Sequence, residues 1–393
     1  MTRSGDTLRN RCTIGVLLLF ALAGLALAPR AAMAQLDHGR LWAAYANRFI
    51  SPDGRVIDPQ GRDRTTSEGQ SYALFFALVN NEPIRFATIL RWTQTNLAGG
   101  DLGAHLPGWS WGKAQDGHWG LLDGNSASDS DVWIAYDLIE AGRLWKQPQY
   151  VALGRRMLVE IARREVVTQP DRGSMLLPAP TGFRTANGWI TNPSYLPLFV
   201  LSRLAKVDPA GPWISIAVNT PALVAGSSRA GFAFDWVSYT KGAGYAPSPV
   251  NPAKGGVALG SYDAIRVYLW AGMLDDGAPA KAGLLKSLWG MEAYVQQHGS
   301  APEKVNAAGQ PEAQAGPVGF SAALVPYLKG LGDESGAQKL LARVQTEVVE
   351  KTALLGAAPT YYDENLTLFS TGWLQRSFRF GANGEVLVPW VHP

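Results

Sequence analysis

The feature that most constrains this chain is the spacing of its helix breakers. Apolar residues recur at 3.6-residue spacing between Gly, Pro and polar clusters, and the pattern predicts about twelve helices. They fall at approximately 37–50, 67–80, 82–98, 128–144, 147–164, 194–206, 212–226, 261–274, 278–297, 318–330, 333–355 and 365–378. Strand-like stretches are few: Ser174–Leu177, Gly182–Thr185 and Phe232–Tyr239. No run alternates strand and helix as a parallel sheet requires, and no solenoid repeat recurs. The connections are unequal. Those leading from odd to even helices are mostly long (51–66, 99–127, 165–193, 241–260, then 298–317 and 356–364), whereas the return connections are short. Loops of that length inside a compact domain usually carry function. An all-α fold follows: six antiparallel hairpins closed into an (α/α) barrel over residues 35–393, with the long loops and a few short strands at one rim. The stretch 301–317, rich in Ala, Pro, Gly and Gln, reads as a surface loop of the same single domain.

Residues 1–34 read as a cleaved signal peptide. Arg3, Arg9 and Arg11 precede an apolar run from Ile14 to Ala28, and Ala32-Met33-Ala34 places small residues at the cleavage site. The run is about 15 residues, short of the roughly 20 that span a bilayer. A periplasmic or secreted protein without a stable membrane span is expected. The only cysteine, Cys12, lies in this segment, so the mature chain would have no thiol chemistry, no cysteine metal site and no disulfide. Without residues 1–34, basic and acidic residues balance. A neutral chain argues against nucleic acid or an anionic membrane as partner.

The even helices should begin at the loop-rich rim, and their first residues are polar. Ser67-Glu68-Gly69-Gln70 opens the second, Ser128-Asp129-Ser130-Asp131 the fourth, Ser194-Tyr195 the sixth and Ser261-Tyr262-Asp263 the eighth. In a ring these converge, although Glu68 and Asp263 are far apart in sequence. Paired carboxylates at one site are what glycoside hydrolysis needs: one protonates the leaving oxygen, the other activates water or attacks. Ordinary helix capping is the competing explanation for each acid taken alone. Asp129 and Asp131 point to different faces, so at least one is expected to cap or to support the other. The chain has 14 tryptophans, and Trp109, Trp111, Trp119 and Trp189 fall in the long loops, where flat rings beside carboxylates can stack on sugars or simply pack the loops down.

Other motifs carry little. Gly108-Trp109-Ser110-Trp111-Gly112 matches G-x-S-x-G but lacks a strand–turn–helix setting. The histidines His38, His105, His118, His298 and His392 show no metal-ligand spacing, and no nucleotide-binding loop occurs. No cofactor and no metal are expected.

The chain resembles glycoside hydrolase family 8, and within it the periplasmic endoglucanases that accompany bacterial cellulose synthase. Ala127-Ser128-Asp129-Ser130-Asp131-Val132-Trp133-Ile134-Ala135 is similar to the family signature, departing from it at Ser130, where the family has Ala or Gly, and further on at Asp137, where a small residue is usual. Thr66 to Tyr72, Asn192 to Tyr195, Ser261 to Arg266, and Tyr361 to Asp363 through Trp373 resemble further family segments in the same order. The resemblance implies a six-hairpin (α/α) barrel and an inverting endo-β-1,4-glucanase acting on a cellulose chain. It implies Glu68 as general acid, Asp263 as general base, and Asp129 holding the sugar at the cleavage subsite. It gives Tyr195, Tyr262 and Arg266 the shaping of that subsite, and Trp109 and Trp111 the stacking on glucose rings. Neither departure is expected to touch a catalytic group. It also implies a role in cellulose synthesis and association with the synthase complex. The alternatives are a related glycosidase acting on xylan, chitosan or mixed-linkage glucan, and a non-catalytic glucan-binding subunit.

Overall fold

A computed structural model describes residues 36–169, 173–251 and 254–391; the expected signal peptide lies outside the described residues. Thirteen helices occur among them: α1 His38–Phe49, α2 Ser67–Val79, α3 Pro83–Leu97, α4 Ser128–Leu144, α5 Pro148–Glu165, α6 Leu198–Val207, α7 Trp213–Ser227, α8 Ala264–Met273, α9 Lys281–Ser287, α10 Trp289–His298, α11 Val318–Leu331, α12 Glu334–Glu347 and α13 Tyr361–Leu374. Six of them form an inner ring. α2 packs on α4, α4 on α6, the 3₁₀ turn before α6 on α8, α8 on α11, α11 on α13, and α13 back on α2. α1, α3, α5, α7, α9 and α12 lie outside, each against an inner partner, and the six hairpins expected from the breaker spacing close into an (α/α) barrel.

Burial separates the two layers. Inner helices are buried round most of their circumference: every residue of α8 and residues 128–142 of α4 are buried. Outer helices show one apolar stripe, as α5 does with Gly154, Met157, Leu158 and Ile161. Aromatic rings fill the barrel axis, where Trp133, Trp270, Phe369 and Tyr72 meet in edge-to-face and tilted contacts.

Every inner helix begins at the rim that carries the long loops. These loops contain a three-stranded antiparallel sheet of β1 Thr65–Thr66, β2 Gly108–Lys113 and β3 Trp119–Ser126, a pair β4 Val166–Gln169 and β5 Gly173–Leu176, and a four-stranded sheet β6 Arg184–Thr185, β7 Gly188–Thr191, β8 Val237–Thr240 and β9 Gly244–Pro247. The β2–β3 hairpin lies where the sequence reading had only loop. Its strands are rich in Gly and Ser, which hides the period of two, but Asp116-Gly117 with φ +91° at Gly117 is an ordinary hairpin turn signal.

Four helix boundaries differ from expectation, each for a local reason. Pro197 separates the 3₁₀ turn Pro193–Tyr195 from α6. The expected helix 278–297 breaks at Leu288, because the Gly290 N–H donates to the Gly231 carbonyl (3.0 Å) and a Cβ on Gly231 would lie 2.2 Å from that nitrogen. The helix expected over 333–355 stops at Glu347, and its remainder folds into a short hairpin pairing Val348–Val349 with Leu354–Leu355. The last helix starts at Tyr361 rather than 365, since Thr360 Oγ1 accepts from the Asp363 N–H (3.2 Å) and donates to Asp363 Oδ2 (2.9 Å).

Two buried acids on α4 contrast. Glu140 is fully buried and fully used: Arg203 (2.6 Å), Arg143 and the Val386 N–H (2.9 Å) all donate to it, tying the C-terminal segment to the barrel. Asp137, one turn earlier, is equally buried, with neither carboxyl oxygen partnered among the described residues. Burial, with the charge of Glu140 adding to it, holds the Asp137 carboxyl well above the usual carboxylate range. The folded state therefore keeps a proton that the unfolded chain loses, and stability falls as pH rises. Replacing Asp137 by Ala should stabilise the fold by about 1–3 kcal/mol at neutral pH. The gain should be larger at pH 8 than at pH 5, as read from urea melts at the two pH values.

Candidate active site

The inner-helix starts converge as expected, and on α2 and α8 the caps are supplied by residues other than the candidate acids. Thr66 caps α2 through its hydroxyl and the Gly69 N–H (3.1 Å), which leaves the Glu68 side chain free to turn inward. Asp263 stands at the N-cap position of α8 but makes no cap hydrogen bond. Asp235, from the loop after α7, does that work instead. Its Oδ1 accepts the Ser261 and Ala264 N–H groups at 2.8 Å each, and its Oδ2 accepts the Ser261 hydroxyl at 2.5 Å. Sequence reasoning missed Asp235; its one signal is a lone acid inside the apolar run Phe232–Val237.

The freed carboxylates meet one cation. Arg266, with 1% of its side chain exposed, donates from Nη1 to Glu68 Oε2 and from Nη2 to Asp263 Oδ1, both at 2.6 Å. Asp129 Oδ2 lies 3.9 Å from Nη1. The same fork donates to Ser194 Oγ (3.0 Å) and Tyr72 OH (3.3 Å), and Asn192 fixes Ser194 through its backbone N–H and hydroxyl. The rings of Tyr195 and Tyr362 lie 5.8 and 6.0 Å from the guanidinium carbon. Tyr262 is 44% exposed at the mouth, and its carbonyl accepts the Tyr362 hydroxyl. Tyr361, Tyr362, Asp58, Gln60 and Arg64 join Glu68, Tyr262, Asp263 and Arg266 around an open cleft of about 520 Å³.

Three carboxyls are buried around one guanidinium, and burial together with their surplus of negative charge favours the protonated forms. Asp263 is pushed up to about 7 by burial, with the charges of Asp235, Glu68 and Asp129 adding and Arg266 opposing. Asp129 is pushed up to about 6 by burial and by the charge of Glu68; Arg266 and hydrogen bonds from Ser130 oppose the shift. Ser130 thus corrects one expectation. This departure from the family signature does touch the cluster, donating from N (2.7 Å) and Oγ (3.2 Å) to Asp129 Oδ1 while accepting the Ser67 hydroxyl at 2.9 Å. A small side chain at 130 faces the α2 start, which is why a serine there reaches both neighbours.

The loop tryptophans divide. Trp111 is part of the hairpin's own packing: its ring stacks on Trp119 (5.3 Å between centroids), meets Trp92 edge-on, and has the Arg55 guanidinium 4.6 Å from its centroid. Trp189 stacks on Tyr239 within the four-stranded sheet. Trp109 is half-buried, and no aromatic ring packs on it among the described residues. No cluster of three or more His, Cys, Asp or Glu with metal-holding geometry occurs among the described residues, and no described helix is long and apolar enough to cross a membrane.

The model of the glycosyl hydrolases family 8 matches residues 13–376. The chain belongs to glycosyl hydrolase family 8. This family 8 chain is 46% identical to an endoglucanase of Xanthomonas axonopodis pv. citri (strain 306) over 377 residues, 95% of this chain and 96% of that protein. An endoglucanase of Escherichia coli (strain K12) is 43% identical over 350 residues, covering 89% and 90%. The crystal structure of an endo-1,4-D-glucanase from Vibrio fischeri ES114 superposes with a TM-score of 0.79 at 38% identity, over 90% of this chain and 99% of that one. The family 8 enzyme is therefore a glycoside hydrolase, with its carboxyl cluster at the open end of the barrel.

Asp235 gives this site a direct test. Asp235→Asn removes a charge that pushes Asp263 upward, so the acidic limb of the kcat/KM profile, set by ionisation of a base, should move to lower pH. A limb that stays in place in a folded variant would restrict Asp235 to holding the start of α8.

Proposed function

We propose that this family 8 enzyme is an exported endo-β-1,4-glucanase that cleaves internal bonds of cellulose with inversion. The observation that carries the reading is the sharing of one buried guanidinium by Glu68 and Asp263 on the floor of an open, tyrosine-lined cleft. Glu68 is the general acid: Oε2 is anchored on Arg266, and the side chain, 20% exposed, borders the cleft where a glycosidic oxygen would lie. Asp263 is the base that activates water, and a carboxyl near 7 exchanges protons readily at neutral pH. Asp129, deeper and held by Ser130, grips the sugar at the cleavage point. Tyr195 and Tyr262 wall the subsite, and Trp109 contributes stacking along the chain through its open ring, while Trp111 packs the hairpin that carries it. The endoglucanase names of the relatives support β-1,4-glucan as substrate. The signal-like N-terminus supports export to the periplasm, cleavage after residue 34 and a single catalytic domain beyond it. Trimming nascent cellulose beside the synthase complex follows from the same family resemblance.

The test is reducing-end release and viscosity loss on carboxymethylcellulose, with xylan and chitosan in parallel. Viscosity should fall before many ends appear, on the cellulose derivative alone. Glu68→Gln and Asp263→Asn should each lower kcat by roughly 10²–10⁴. Proton NMR of the first product should show the α-anomer, matching a carboxyl separation of about 6.5–9.5 Å that admits a water. A β-anomer would overturn inversion. Glucan binding without hydrolysis would mean a binding subunit.

A further inference from the structure

Two buried carboxyls beside the cluster take no part in the cleft. Asp131 lies on the first turn of α4, and Glu165 ends α5; both are 0% exposed. Glu165 Oε1 accepts the Ser126 hydroxyl at 2.5 Å. Glu165 Oε2 and both Asp131 oxygens have no donor among the described residues, yet the two side chains lie within hydrogen-bonding reach of each other. Two carboxylates cannot make that bond, because each offers only acceptors. One proton between them converts an acceptor facing an acceptor into a strong hydrogen bond.

Among the described residues no cation is hydrogen-bonded to either acid. Arg266 is engaged by Glu68, Asp129 and Asp263. Arg164, the charged neighbour on α5, pairs with Glu160 at 2.8 Å on the outer surface. The facing β4 and β5 carry no ionisable residue, β3 presents Ser126, and α2 contributes Ser67 and Glu68, an acid. Two buried anions in contact without a counter-ion would carry a prohibitive desolvation and repulsion cost. Geometry and charge therefore agree on a single retained proton.

We propose that Asp131 and Glu165 share one proton and act as a positioning pair, holding the first turn of α4, and Asp129 with it, against the ends of β3 and α5. The assembly is continuous: the Ser128 N–H donates to the Pro178 carbonyl (2.9 Å), the Leu177 N–H to the Glu165 carbonyl (2.7 Å), and Ser126 reaches Glu165 through its hydroxyl. Burial, chiefly, pushes Glu165 up to about 8 and Asp131 well above the carboxylate range, and the charge of Asp129 adds to both shifts. By reciprocity, holding the proton in the pair eases ionisation of Asp129. The positioning role rests on Asp129 belonging to the catalytic cluster; the shared proton does not depend on what the enzyme hydrolyses.

The test combines infrared spectroscopy with kinetics on the full chain. Wild type at pH 7 should show, beside the carbonyl stretch of other buried protonated carboxyls such as Asp137, a component that is lost in Glu165→Gln and in Asp131→Asn. The glutamine amide donates to Asp131 as the shared proton does, so Glu165→Gln should keep kcat close to wild type. Glu165→Ala, which leaves Asp131 without its partner, should lower kcat by about tenfold to a hundredfold with KM little changed. A band unaltered in both isosteric variants would overturn the shared proton. A Glu165→Gln variant that melts like wild type but loses kcat as Glu165→Ala does would overturn the positioning role. Neither result would bear on the substrate, which the polysaccharide panel decides separately.

Discussion

The buried guanidinium of Arg266 is the interaction on which the rest of the site depends. Desolvating a cation costs several kcal/mol unless partners replace its water, and here the replacement comes from four of the six inner-ring positions. Glu68 and Tyr72 belong to α2, Asp129 to α4, Ser194 to the turn before α6, and Asp263 to the start of α8. Parts of the chain nearly 200 residues apart are thereby locked to one planar fork, which fixes both distance and orientation. Burial raises the affinity of Asp129 and Asp263 for protons, and the surplus of negative over positive charge around the guanidinium adds to it. The same contacts that hold the site together also set its acid–base character.

Helix capping decides which carboxylates are available. An acid at the start of a helix ordinarily satisfies free backbone N–H groups and is spent there. In this barrel Thr66 and Asp235 take over that task, one from the adjacent residue and one from a remote loop. The neighbouring acids then turn towards the axis. Asp131 belongs to neither group: it caps nothing and faces Glu165 rather than the cleft, so the two acids of the Asp129–Asp131 motif serve different sides of one helix turn.

Much of the architecture was legible from breaker spacing and loop asymmetry, because inner and outer helices each obey a simple period and long loops recur at alternate connections. Convergence of Glu68, Asp129, Tyr195, Tyr262 and Asp263 could be anticipated once the ring was assumed, since all lie within a turn of an inner-helix start. What escaped depends on tertiary contact. The close approach of Gly231 and Gly290 breaks a helix that propensity would continue, and nothing near residue 290 announces its partner. Asp235 lies in a segment read as strand, and its role exists only once α8 is placed beside it. Trp111 and Trp109 are two residues apart, and irregular register in the hairpin, invisible in the sequence, gives their rings different surroundings.

Closure of the ring makes the order of chain synthesis matter. α1 packs on α13; the His38 N–H donates to Gln375 Oε1 (3.0 Å), and Gln375 Nε2 donates to the Leu36 carbonyl (2.6 Å). The first described helix therefore has no complete seat until the last has been made. α2 likewise keeps one flank open for nearly 300 residues. A nascent chain must carry an unclosed arc of apolar helices through almost its whole production, and contacts of such sequence separation form slowly. A barrel of this kind is thus exposed to chaperones, proteases and self-association until its final hairpin is in place.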